Sequence, residues 1–333
     1  MTLITVRPEG LYCEAGGFFI DPWQPVDTAL ITHAHADHAR SGSSHYFATQ
    51  VSQGVLTKRL GATIQLQGVE YGEKIKLGNT WVSFHSAGHV LGSAQIRVEQ
   101  GDEVWVVSGD YKRGDDPTCA PFEVVPCDRF ITEATFGLPI YHWQPGSSTA
   151  QEIYQWWQRD LDRPSLLFCY AFGKAQRILG ELQKLTDQPV YVHGAVQVLV
   201  EIYCQVGIPM IATIPVSDMP KDYKFKGDLV LAPPSAYRSS WMKRFPLPQT
   251  GFASGWMAVR GARRRQGYER GFVLSDHADW QSLVTTVQQT GAKAVYVTHG
   301  QTEVLSRYLT EVCGINAMPL KTCLLYTSPS PRD

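Results

Sequence analysis

Short apolar runs that end in polar, glycine-flanked loops recur along the chain, and their spacing predicts its elements. Such runs occur at Ala29–Thr32, Val104–Val107, Phe130–Thr132, Leu166–Tyr170, Val190–Val192, Leu229–Ala232, Phe272–Leu274 and Ala294–Thr298. Runs of this length between turn formers suit buried strands. Helical spacing appears between some of them. Gly173–Leu185 sets Ile178, Leu179 and Leu182 on one face, Ala195–Val206 is a second helix, and Trp280–Gln289 is a third after the polar loop Ser275–Asp279. Strands alternating with helices predict an α/β or mixed architecture, and no solenoid-type repeat is present.

Two stretches rich in turn formers suggest boundaries. Gly137–Ser148 carries Pro139, Pro145 and Gly146, and Arg238–Gly255 carries Pro246, Pro248 and Gly251. The expectation is a first domain over 1–140, an insert over 141–250 and a return to the first domain over 251–322. Residues 323–333 end in Ser-Pro-Ser-Pro-Arg-Asp, which suits neither helix nor central strand, and they read as a non-native or disordered tail.

Composition narrows the class without naming a chemistry. Of 333 residues, 44% are apolar and 18% charged, which excludes a disordered chain. No apolar run approaches the roughly 18 residues of a membrane span, so no membrane role is expected. Met1 to Glu9 lacks a signal-peptide core. None of the seven Cys forms a C-x-x-C pair, so a reducing cytoplasm is the expected location. A net charge of −1 argues against binding nucleic acid by bulk charge.

The ten His carry the chemical signal. Ile31-Thr32-His33-Ala34-His35-Ala36-Asp37-His38 packs three imidazoles and a carboxylate into six residues directly after a strand. Packing so many polar groups together unpaired is costly, whereas nitrogen and oxygen donors of this kind suit zinc, with manganese second. Alternation sets His33 and His35 on one side of an extended segment and lets Asp37 and His38 turn towards a second ion. Further ligands must come from elsewhere. His89 in Ser86-Ala-Gly-His-Val-Leu-Gly-Ser93, Asp110 ending Val104–Asp110, His277 in Ser275-Asp-His-Ala-Asp279 and His299 in Thr298-His-Gly300 all sit at strand ends or in small-residue loops. α/β enzymes place their chemistry in such loops.

The order Asp21, H-x-H-x-D-H, His89, Asp110 resembles the metallo-β-lactamase superfamily, which implies an αββα sandwich and a dinuclear zinc centre. Thr132-Glu-Ala-Thr-Phe-Gly137, the segment around His277, and Thr298-His-Gly300 resemble the three additional motifs of the β-CASP nucleases. Phe172-Gly-Lys-Ala-Gln-Arg177 resembles the segment that opens their smaller inserted α/β domain. Within that family the chain looks most like the bacterial ligase-associated DNA exonucleases. The resemblance implies one zinc on His33, His35, His89 and Asp110. It implies a second on Asp37, His38, Asp110 and His299, with Asp110 bridging and Asp21 supporting the ligand loop. DNA is the implied substrate, with functional association with a DNA ligase and a helicase. His299 keeps RNA processing open, because RNA-processing members carry this His while DNA-repair members of the Pso2 type usually lack it.

The implied reaction is phosphodiester hydrolysis, in which paired metals acidify a water and neutralise phosphate charge. His277 is the candidate acid for the leaving oxygen, with Glu133 holding its other ring nitrogen. Ser254 and the Gly255 N–H are candidate phosphate contacts. Lys174 and the run Arg263-Arg264-Arg265 are candidate nucleic-acid contacts. Trp156, Trp157 and Phe172 can stack on bases, but core packing is the expected role for most of them. A thioester or lactam hydrolase would share H-x-H-x-D-H. It would lack the Glu133–His277 counterpart and the long separation of Asp110 from His299.

Overall fold

In the computed structural model, which describes residues 2–259 and 267–320, strands form three sheets distributed over two units. The first unit takes the chain up to Gly114, then Cys119–His142, and the described residues from His277 onward. The second takes Asp115–Thr118 and Trp143–Asp276.

Two sheets build the first unit. One follows chain order: Ile4–Arg7, Gly10–Cys13, Phe18–Ile20, Thr28–Leu30, His45–Thr49 and Leu66–Val69. The other runs spatially Ala317–Pro319, Ala294–Gly300, Arg129–Ala134, Glu103–Val107, Ala94–Gln100, Thr80–Ser86 and Ile75–Leu77. Their inner faces share one core, in which Phe18, Ile20 and Leu30 meet Phe84, Ile96 and Trp105. Each such side chain contributes about 1.5–3 kcal/mol by leaving water. The outer face of the second sheet is covered by helices Trp280–Thr290 and Thr302–Glu311, through Leu283, Val287, Leu305 and Leu309. Helix Trp280–Thr290 starts where the Asp279 carboxylate accepts the Ser282 N–H at 2.9 Å, and it stops at Gly291 with φ +65°.

The three central strands of the second sheet are mutually parallel, so their carboxyl ends lie side by side. That edge carries Ser108 to Asp110, Glu133 and Thr298 to His299. A parallel sheet with its loops gathered at one edge is where an α/β protein can assemble a site from distant residues.

The second unit holds six strands, all paired in parallel, in the order Thr213–Pro215, Val190–Val192, Leu229–Ala232, Ser165–Phe168, Gln249–Ala253 and Arg270–Phe272. One core joins this sheet to helices Gly146–Arg159, Lys174–Leu182 and Gly194–Gln205. Trp156, Trp157 and Phe172 are buried, which is the core role expected of them.

The α/β class holds, as a metallo-β-lactamase-type sandwich accompanied by a second, parallel α/β unit. The return to the first unit needs correction. The loop chemistry placed it at Gly251, yet Gln249–Ala253 and Arg270–Phe272 pair within the third sheet, and the chain leaves that unit only after Asp276. Pro and Gly mark where a connection lies, not which sheet the next strand joins. The tail 323–333 lies outside the described residues. Among the described residues, no helix is long and apolar enough to cross a membrane.

Candidate metal centre

The ligand loop begins where strand Thr28–Leu30 ends, and its shape is held by Asp21. Asp21 follows strand Phe18–Ile20 at φ +43°, a conformation that L side chains rarely adopt. One carboxylate oxygen accepts the Thr32 N–H at 2.7 Å. The other accepts the Thr32 hydroxyl at 2.5 Å and pairs with His38 Nδ1 at 2.7 Å. Because its hydroxyl proton goes to Asp21, the Thr32 oxygen accepts from His33 Nδ1 at 3.1 Å. Both imidazoles thus carry their proton on Nδ1, leaving the Nε2 lone pairs of His33 and His38 for a ligand.

Two glycines allow the other loops to close in. Gly109, at φ +56°, has no room for a Cβ, which would meet Thr32 at 2.7 Å, so the Asp110 loop can lie against the His33 loop. Gly88, at φ +68°, presses on the Lys112 carbonyl, where a Cβ would approach to 2.3 Å. The next residue, His89, has its N–H bound by the Ser93 hydroxyl at 3.0 Å.

His299 arrives by a different device. Glu133 pairs with Thr298 and Ala134 with Gly300, so His299 is the extra residue of a β-bulge, at φ +56°. A bulge re-aims a side chain that regular pairing would direct along the strand's alternation.

These loops bring four donors together. His33 Nε2 lies 3.0 Å from His35 Nδ1, and His89 Nε2 lies 3.1 Å from the same atom. Asp110 Oδ2 lies 3.5 Å from His33 Nε2 and 3.9 Å from His89 Nε2. A tetrahedral zinc site with bonds of about 2.0–2.1 Å has edges of about 3.3–3.4 Å. The donor set therefore fits a divalent cation in both chemistry and spacing. The expected second set is gathered more loosely. His38 Nε2 stands 3.4 Å from Asp110 Oδ2, and the His299 ring stacks on His38 at 5.2 Å. Asp37, His38 and His299 line one cleft of about 480 Å³ of empty space. The His38 Nε2 atom is buried and makes no hydrogen bond, as a nitrogen reserved for a cation would be.

Charge follows this arrangement. Burial, aided by the neighbouring imidazoles, drives the His33 pKa well below the usual value. Burial also opposes charge on His38, but Asp110 and Asp21 outweigh it and hold the His38 pKa well above normal. Against burial, the His38 and His277 imidazoles keep the Asp110 carboxyl well below the usual carboxylate range. Burial lowers His299.

Asp110 also belongs to a second close group, with Glu133 and His277. Glu133 is buried, and desolvation raises its pKa. Its Oε1 accepts the Tyr111 N–H at 2.6 Å, and its Oε2 meets His277 Nδ1 at 2.9 Å. The Tyr111 carbonyl in turn accepts the Ala278 N–H at 2.6 Å, so one residue brackets both members of the pair. The His277 ring lies 4.6 Å from that of His89. Thr32, Ser93 and Tyr111 were not singled out from the sequence. Thr32, next to the first His, and Ser93, closing the segment around His89, stand where a motif could flag them; Tyr111 does not.

The remaining candidates lie in the second unit. Lys174, a candidate nucleic-acid contact, has a fully buried side chain whose Nζ lies 3.5 Å from Asp276. Ser254 is also buried. Its Oγ accepts the Trp256 N–H at 3.3 Å and caps the short turn Gly255–Ala258, with Gly255 buried in it. Arg263, Arg264 and Arg265 lie outside the described residues.

No protein-family model matches the chain. It is 28% identical over 302 residues to a probable DNA ligase of Opitutus terrae, covering 87% of this chain and 28% of that protein. An RNase J-like protein of Methanocaldococcus jannaschii is 24% identical over 201 residues, covering 51% of this chain and 48% of the relative. Ribonuclease TTHA0252 of Thermus thermophilus is 26% identical over 211 residues, covering 52% and 47%. The chain thus spans from about a quarter to about half the length of these curated relatives. Among solved structures, a protein of unknown function from Enterococcus faecalis shares the fold with a TM-score of 0.62 at 12% identity, over 88% of this chain and 79% of its own. With the His and Asp donors gathered at the strand ends, these likenesses make the chain similar to the β-CASP metallo-β-lactamase family.

Proposed function

We propose that the chain is a zinc-dependent nuclease that hydrolyses phosphodiester bonds, and that it acts as a DNA exonuclease in DNA repair. The observation that carries this reading is the buried Glu133–His277 pair, 2.9 Å apart, set beside the donor cluster through Asp110. A lactam or thioester hydrolase sharing the H-x-H-x-D-H segment would lack a counterpart of this pair.

The residues divide the work by position. His33, His35, His89 and Asp110 would hold one cation, and Asp37, His38, Asp110 and His299 a second. Zinc is the first choice and manganese the second. Bound there, the cations would supply Lewis-acid neutralisation of a phosphate and a more acidic water. Asp21 and Thr32 orient the imidazoles, which keeps their Nε2 atoms aimed inward. His277, with Nδ1 held by Glu133, presents Nε2 as the acid that protonates the departing sugar oxygen. Glu133 favours the charged imidazole, and its own place is fixed by the Tyr111 N–H.

The DNA assignment is supported by the probable DNA ligase relative, whose match extends over 87% of this chain. The same likeness supports functional association with a DNA ligase and, by the family resemblance, a helicase. An RNA-processing nuclease is the second reading. It is favoured by His299 and by the two ribonuclease relatives, each matched over about half of the chain.

End-labelled single- and double-stranded DNA and RNA, digested with zinc or manganese beside an Asp37→Ala, His38→Ala variant, test both readings. The expected outcome is shortening of DNA from one end, lost in the variant and on chelation. Cleavage of RNA alone selects the second reading. Hydrolysis of a thioester or lactam with no nucleic acid cleaved would overturn both.

A further inference from the structure

The second unit contains a charged network that the proposed reaction leaves unused. Lys174, Arg177, Asp116 and Asp276 have side chains no more than 5% exposed. Lys174 and Arg177 stand one turn apart on helix Lys174–Leu182, so both face the same way. Lys174 Nζ lies 3.5 Å from one Asp276 oxygen, and Arg177 Nη1 lies 3.6 Å from the other. Arg177 Nε faces Asp116 at 3.6 Å. The Arg177 guanidinium also donates to two backbone carbonyls, Ser275 at 2.7 Å and Asp115 at 3.4 Å. Gly146 leaves it room, since a Cβ there would come within 2.7 Å of Nη2.

Two cations and two anions sealed from water are weak evidence for stability, because apolar side chains of the same volume commonly do as well. Apolar side chains cannot, however, hold a carbonyl in a fixed direction, and a planar guanidinium can. The two chain segments it holds are not arbitrary. Ser275 and Asp276 immediately precede His277, and Asp115 and Asp116 follow Asp110 by only a few residues.

We propose that Arg177 and Lys174 are positioning residues, which clamp the Ser275–Asp276 peptide and thereby fix where the chain delivers His277. The proposal rests on the reading of His277 as the proton donor. Arg177 does its part through the Ser275 carbonyl and both carboxylates, and Lys174 through its ion pair with Asp276. Lysine in place of Arg177 keeps the charge but loses the fork that reaches carbonyl and carboxylate together.

The test compares the wild type with Arg177→Lys, Lys174→Met and His277→Ala on two phosphodiesters. One is DNA, whose sugar oxygen needs a proton to leave. The other is bis-p-nitrophenyl phosphate, whose leaving group departs without one. Arg177→Lys is expected to lower kcat on DNA by about tenfold to a hundredfold with KM unchanged. Its hydrolysis of the nitrophenyl ester should stay within about twofold, with Lys174→Met showing a smaller loss in the same sense. Hydrogen exchange supplies a readout independent of activity: the amides of Asp276 to Ala278 should exchange at least about tenfold faster in Arg177→Lys. Unchanged exchange there overturns the clamp. So does an equal loss on both substrates, which would make the network merely structural. A wild type that cleaves no nucleic acid, or a fully active His277→Ala, overturns the proposed function or acid role instead, while the exchange result still judges the clamp.

Discussion

His277 Nδ1 stands 2.9 Å from a Glu133 oxygen, and His85 Nδ1 stands 2.9 Å from a Glu123 oxygen. Both pairs lie in the first unit, and their hydrogen bonds are alike. The second even includes a hydroxyl, since Ser83 Oγ lies 3.0 Å from His85 Nε2, which completes a serine–histidine–glutamate relay. Their surroundings differ throughout. Glu133 is 1% exposed, desolvated and pinned by a backbone N–H, whereas Glu123 is 52% exposed. The His277 ring adjoins His89 and shares Asp110 with the donor cluster, whereas His85 has both nitrogens occupied on the outer side of strand Thr80–Ser86. Ser83 is 2% exposed, so no substrate reaches it. A histidine and a carboxylate at hydrogen-bond distance are therefore not yet a site. Burial and chemical company decide which pair can do work.

The sharpest way to break this contrast is to remove the buried pair. His277→Ala and Glu133→Gln should each lower cleavage by about 10²–10⁴-fold, the range typical of a positioned acid. Zinc content, measured by elemental analysis of the purified variants, should not change. If zinc falls together with activity, His277 is a ligand, and the close grouping with Asp110 is a metal site rather than a proton relay.

The same contrast explains what the sequence could and could not tell. H-x-H-x-D-H is legible because its donors are neighbours in the chain. The strands Val190–Val192 and Leu229–Ala232 are legible because they are buried on both faces and read as unbroken apolar runs. The first sheet, by contrast, is built of strands of three to five residues whose partners lie in other turns of the chain, too short for periodicity to flag. Helix Gly146–Arg159 was hidden because its start falls in a stretch read as breakers; Pro145 is its N-cap, not its interruption. The bulge at His299 depends on pairing with Arg129–Ala134, more than 150 positions away, which no local pattern records. Nor does composition separate His85 from His277. His277 is legible from its place in a polar loop after an apolar run, Glu133 only through family resemblance, and the network of Arg177 and Asp276 not at all, because burial of a charge is a property of the fold.

Thr32 offers a subtler perturbation of the buried side. Thr32→Val keeps the side-chain shape but removes the hydroxyl that links Asp21 to His33 Nδ1. The first metal ligand then loses its orienting acceptor, while every proposed ligand remains. The expected result is about a 10–100-fold loss of zinc affinity in a chelator competition, with full activity restored at saturating zinc. An unchanged affinity would mean that Asp21, acting on His38 and the Thr32 N–H, suffices to hold the loop.

The smallest effect is expected at the exposed pair, and it is the one that tests the reasoning most directly. His85→Ala removes an imidazole that makes two hydrogen bonds, one of them to a carboxylate largely in water. Pairs of that kind contribute about 0–1 kcal/mol, so a urea melt should shift by no more than that. Nuclease turnover should stay within about twofold, and a fluorophosphonate probe should not label Ser83. The outcome to watch for is labelling lost in His85→Ala. That would mean the Ser83 relay opens to solvent, and that burial in the folded state is a poorer guide to which histidine works than the contrast with Glu133 and His277 implies.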